Sequence, residues 1–116
     1  MTENLVNSVI NGIQEKKGSK IVTLDLQKLE NSVCDYFVIC QADSTTQVSS
    51  IADSVEDVVK KETKERVWHS DGYDNSIWIV LDYGSVMVHV FQTEWREFYD
   101  IEGLWADAEI KVIADA

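Results

Sequence analysis

The chain has 116 residues, 45% hydrophobic and 27% charged, which suits one ordinary soluble domain that buries a core without metal or disulfide staples. Ten Lys and Arg against 21 Asp and Glu give a formal charge of −11; this argues against exposed nucleic acid as the main ligand and suits a basic protein partner. No apolar run approaches the roughly 18 residues of a membrane span, and the N-terminus lacks the basic leader and apolar core of a secretory signal.

Residues 3 to 17 place Leu5, Val6, Val9, Ile10 and Ile13 on one helical face, with Thr2 or Asn4 as cap and Gly18 as stop. "KIVTLDL", 20 to 26, alternates like a strand, and "CDYFVICQ", 34 to 41, is apolar through its middle like a central one. Cys34 and Cys40, six strand positions apart, would lie roughly 20 Å from each other and cannot pair, so reduced cytosolic thiols are expected. Ser44 and Gln47 form a capping-box pattern ahead of a second helix. Its apolar stripe is Val48, Ile51, Ala52, Val55, Val58 and Val59, and Lys60, Lys61 and Lys64 suit its C-terminal end. "RVWHSDG" reads as a strand running into a glycine turn. "SIWIVLD" and "VMVHVF" read as a hairpin joined near Tyr83-Gly84-Ser85. From Thr93 to Ile110 a further helix is expected, broken or bent at Gly103. The fold class is therefore α/β, a single domain over 1–116. Its mixed five-stranded sheet has flanking helices, and the long helix makes a right-handed crossover between the second and third strands.

Reactive constellations are missing. Cys34, Cys40, His69 and His89 are too scattered for a zinc site, and no phosphate-binding glycine loop or nucleophile elbow occurs. The strand after Gly84-Ser85 has no pair of metal-holding carboxylates. Asp82 and His89 could approach across the hairpin as acid and base, but no nucleophile or anion-stabilising group accompanies them. No catalytic residue, metal or cofactor is therefore assigned.

The hairpin is apolar on both faces. Ile77, Ile79 and Leu81 share one side of the first strand, and Trp78, Val80 and Asp82 share the other. In the second strand Val86, Val88 and Val90 oppose Met87, His89 and Phe91. Either helices cover both faces or one is kept for a partner. Four tryptophans, Trp68, Trp78, Trp95 and Trp105, fit core or binding roles. Asp82 and Tyr83, at the strand end beside the turn, are expected to reach outward.

Three ordered motifs resemble the ribosomal silencing factor family, RsfS or Iojap: "DYFVIC" with "STTQVSSIADSVEDVVKK", "WIVLDYGSVMVHVF" and "REFYDIEGLWADA". The chain departs from the family in carrying "QADS" before the helix cap and Asp71-Gly72 in place of Glu-Gly. The resemblance implies a fold similar to the nucleotidyltransferase superfamily without its catalytic carboxylates. It also implies binding to the free large ribosomal subunit through large-subunit ribosomal protein fourteen. That binding would block subunit joining and repress translation under nutrient limitation, in the cytoplasm. A homodimer is also implied. The resemblance carries partner binding to Trp78, Leu81, Asp82 and Tyr83, with Val88, His89 and Trp105 as further candidates. A nucleotide-binding enzyme on the same fold and a homodimeric adaptor are the alternatives.

Overall fold

A computed structural model describes residues 2–114. Its elements in chain order are α1 (Thr2–Glu15), β1 (Ser19–Asp25), β2 (Tyr36–Ala42), α2 (Thr45–Thr63), β3 (His69–Asp71), β4 (Trp78–Asp82), β5 (Val86–Gln92), α3 (Thr93–Tyr99), α4 (Ile101–Leu104) and β6 (Glu109–Val112). The six strands form one mixed sheet in the order β3-β4-β5-β2-β1-β6. The β2–β5 pair is parallel and the other four neighbouring pairs are antiparallel.

Two expectations about topology change. The sheet has six strands, not five, because the segment expected to stay helical to Ile110 ends early and returns as β6 against β1. β6 carries the period-2 alternation Glu109-Ile110-Lys111-Val112, but all four residues are exposed, and its ladder is set by pairing Ile110 with Leu24 and Val112 with Val22. The α2 connection also reaches further than a single crossover. It carries the chain from β2 to the outer edge at β3, and two antiparallel steps then bring β5 back beside β2.

One sheet face is sealed by α1 and α2. Leu5, Val9 and Ile13 meet Val48, Ile51, Ala52, Val55 and Val59, and the two helices together cover Val38, Cys40, Ile79, Leu81, Val88 and Val90. Fully burying each such aliphatic side chain stabilises the fold by roughly 1.5–3 kcal/mol. Gly12, a poor helix former, lets the helices touch: a Cβ there would come within 2.7 Å of Val55 Cα, and Ser54 Oγ donates to Gly12 O at 2.8 Å.

The expected caps are partly rearranged. Ser44 accepts from Gln47 N–H at 3.1 Å, as the capping pattern predicts, but the Gln47 side chain donates to Lys16 O instead of returning to Ser44. α1 already includes Thr2 and Asn4, and the position before it lies outside the described residues. Its left-handed exit residue is Lys17, not Gly18. The break after α3 falls at Asp100, also left-handed, not at Gly103. Gly103 N–H donates to the Asp100 carboxylate at 3.2 Å, and a Cβ at Gly103 would collide with that carboxylate. Cys34 and Cys40 are both free and buried, on opposite sides of the sheet. Burial pushes the Cys34 thiol up to about 11 and the Cys40 thiol up to about 12.

Candidate functional site

Strand alternation divides the seven expected contact residues between the two faces. Leu81 and Val88 are opposite one another in the β4–β5 ladder and fully buried beneath the helices. Tyr83 points the same way, so its expected outward reach is corrected: it is only 3% exposed and belongs to that core. Its hydroxyl has no hydrogen-bond partner among the described residues. Burial, then the charges of Glu56 and Glu65, hold its proton far above the ordinary tyrosine range. Leu81 and Tyr83 share the parity of Ile79, and Val88 faces the same way because the antiparallel register sets it opposite Leu81, so the three turn inward together.

The opposite face carries the other four. Here Trp78 lies across from Phe91, Val80 from His89 and Asp82 from Met87. Trp78, Val80, Asp82 and Met87 are each half-buried, while His89 is buried. The Trp78 ring stacks on Phe91 with centroids 5.0 Å apart and lies 4.7 Å from Tyr99 of α3. Its Nε1–H donates to His89 Nδ1 at 3.1 Å, which assigns the neutral imidazole's proton to Nε2. Burial lowers the His89 pKa to about 4. The ring also packs edge-on against Phe37 at 4.5 Å, and Phe37 meets half-buried Trp105 at 5.9 Å. His89 Nε2 has no partner among the described residues.

No acid–base pair forms. Asp82 is across from Met87 and not from His89, and its Oδ1 accepts the Gly84 N–H at 2.8 Å, stiffening the turn. Among the described residues no three His, Cys, Asp or Glu side chains converge to hold a metal ion. A hollow of about 480 Å³ beside α3 is lined by Gln41, Thr93, Arg96, Glu97, Asp100 and Glu102. Its guanidinium is already committed. Arg96 grips Glu102 with Nε and Nη2, at 2.9 and 3.1 Å, and its Nη1 donates to Lys20 O and Gln41 Oε1, at 2.6 and 3.1 Å. This buried staple fixes α3 and α4 to β1 and β2, and so holds Tyr99 against Trp78.

Alternation in the sequence already groups Val80 with Trp78 and Met87 with His89, though neither Val80 nor Met87 is among the expected contact residues; that α3 would swing Tyr99 across them has no local signal. The arrangement is a mixed sheet with one sealed face and one half-exposed face of aromatic, aliphatic and carboxylate groups. It is the build of an α/β domain that leaves one sheet face partly open.

The description "Ribosomal silencing factor during starvation" belongs to the family whose pattern matches residues 1–116. The chain belongs to this ribosomal silencing factor family. It is 32% identical over 106 residues to the ribosomal silencing factor RsfS of Halalkalibacterium halodurans, covering 91% of this chain and 89% of that one. It is 36% identical over 96 residues to the Bacillus subtilis RsfS, covering 83% and 80%. A crystal structure of a Chromobacterium violaceum protein superposes with a TM-score of 0.85 at 31% identity, over 100% of this chain and 96% of that one.

Proposed function

We propose that the protein silences translation by docking on the free large ribosomal subunit, through large-subunit ribosomal protein fourteen, and sterically blocking the small subunit. The observation that carries this reading is the half-exposed patch of Trp78, Val80, Asp82 and Met87, rimmed by Trp105, in a chain of net charge −11. A blocker needs a tight contact and no chemistry. Trp78 and its apolar neighbours supply area to bury, and Asp82 offers a carboxylate to a cation or N–H donor on a basic partner. Leu81, Tyr83 and Val88 act beneath the patch as its support, and His89 holds the Trp78 indole. Acidic surface elsewhere adds repulsion toward the RNA-rich small subunit. A cytoplasmic site of action follows from the ribosomal target. Among the described residues no helix is long and apolar enough to cross a membrane.

The test is co-sedimentation with purified large subunits. Trp78→Ala is expected to cost on the order of 2 kcal/mol, about thirtyfold in affinity, with the circular dichroism spectrum retained. Undiminished binding by Trp78→Ala and Asp82→Asn together refutes the assignment. A second reading, self-association, is favoured by β6, an outer-edge strand exposing Ile110 and Val112. Sedimentation of the protein with and without large subunits separates the two.

A further inference from the structure

Trp68 is 76% exposed, yet it is not a loosely held side chain. It lies just before β3, where its N–H donates to Asp82 O at 2.8 Å. Its six-membered ring rests on the β4–β5 turn. A Cβ at Gly84 would come within 2.8 Å of Trp68 Cη2 and 3.1 Å of Cζ2 and Cζ3. Gly84 has φ +86, a left-handed conformation that glycine adopts at low cost, and its N–H is tied to the Asp82 carboxylate. Turn, carboxylate and indole are therefore one preorganised unit at the strand end that contributes Asp82 to the contact patch.

Two acidic residues belong to this turn. Asp82 is within it, and Asp35 is anchored at the same turn by its N–H to Ser85 O at 2.9 Å. Arg66, two residues before Trp68, lines a hollow with Asp53, Glu56, Asp57 and Lys60 of α2. An open indole on a turn that carries acidic residues attracts a cation through the ring quadrupole and the formal charges together. The same carboxylates oppose a phosphate backbone.

We propose that Trp68 is a second aromatic contact of the docking surface, and that it takes a lysine or arginine side chain of the ribosomal protein partner. This rests on the large-subunit reading above and extends its footprint around the hairpin tip. The ring pre-ordered on Gly84 loses little freedom on binding, which is the property that makes a tryptophan an anchor.

The experiment compares wild type, Trp68→Ala, Trp68→Phe, Asp35→Asn and Trp78→Ala for binding to purified large subunits at low and moderate salt. Trp68→Ala is expected to weaken binding about tenfold, with melting temperature and circular dichroism unchanged. Trp68→Phe should recover part of the loss, and Asp35→Asn should weaken binding by a smaller factor that shrinks as salt is raised. Wild-type affinity in Trp68→Ala alongside loss in Trp78→Ala overturns this inference and leaves the large-subunit reading standing. Tighter binding by Asp35→Asn overturns it in favour of ribosomal RNA stacking on the indole. Absence of wild-type binding refutes both.

Discussion

Lowering the pH from 7 to 5 should destabilise this protein through His89. The imidazole is 4% exposed, accepts the Trp78 indole N–H and titrates at about 4, against 6.5 for an ordinary histidine. Below pH 6.5 the unfolded chain takes up a proton that the folded chain refuses, so stability is fully present above pH 6.5 and falls as pH drops toward 4. Each unit of that window is worth 1.36 kcal/mol, so the loss between pH 7 and pH 5 is roughly 2 kcal/mol. An opposing contribution comes from the net charge of −11, whose self-repulsion relaxes as acids protonate. His89→Gln isolates the histidine: whatever the substitution costs at pH 7, its stability should fall less on acidification than wild type, by about those same 2 kcal/mol. Urea unfolding followed by circular dichroism at both pH values gives the two slopes. Equal pH dependence in wild type and His89→Gln would refute the buried neutral imidazole and the Trp78 hydrogen bond built on it.

Three further outcomes follow from the packing. Gly12→Ala gains helix propensity of about 1 kcal/mol, but overpacking against Val55 should cost 1–3 kcal/mol, about as much or more, so the urea midpoint should drop; a rise contradicts the close α1–α2 approach. Glu102→Gln deprives the buried Arg96 of its counter-ion while leaving its bonds to Lys20 O and Gln41, and a loss of about 2 kcal/mol is expected. Because Glu102 is 29% exposed, the loss should stay below that of a fully buried pair, and an unchanged midpoint would show that the staple contributes nothing. Leu81→Ala should cost 2–5 kcal/mol in stability, while the folded fraction binds large subunits like wild type; a folded, binding-deficient Leu81→Ala would return Leu81 to the contact surface.

The first two helices and the inner strands were legible because their signals are local. Val48, Ile51, Val55 and Val59 repeat at helical spacing, and the buried run of β2 is dense in β-branched and aromatic residues. The hairpin was legible for the same reason. Its division into two faces followed from parity, which already set Leu81 apart from Trp78 and Asp82, but which face stayed open did not, and Leu81, Tyr83 and Val88 joined the contact set through the family resemblance. A tyrosine at a strand end beside a turn looks the same in sequence whether its ring falls toward the helices or toward solvent.

The sequence by itself determined the helix stripes, the hairpin, the absence of a recognisable reactive motif and the acidic charge. Family resemblance rested on three ordered motifs, and the chain belongs to the ribosomal silencing factor family. Tertiary structure alone decided β6, whose four exposed residues become a strand only because β1 offers unpaired backbone groups. It alone decided the break at Asp100, where the carboxylate and Gly103 meet, and the Arg96 staple spanning 76 residues to Lys20. These are long-range choices made by backbone pairing and desolvation; even the short alternation of β6 does not say which edge it joins. The same holds for Trp68, ordinary in sequence, which becomes a fixed, exposed aromatic only when Gly84 folds beneath it.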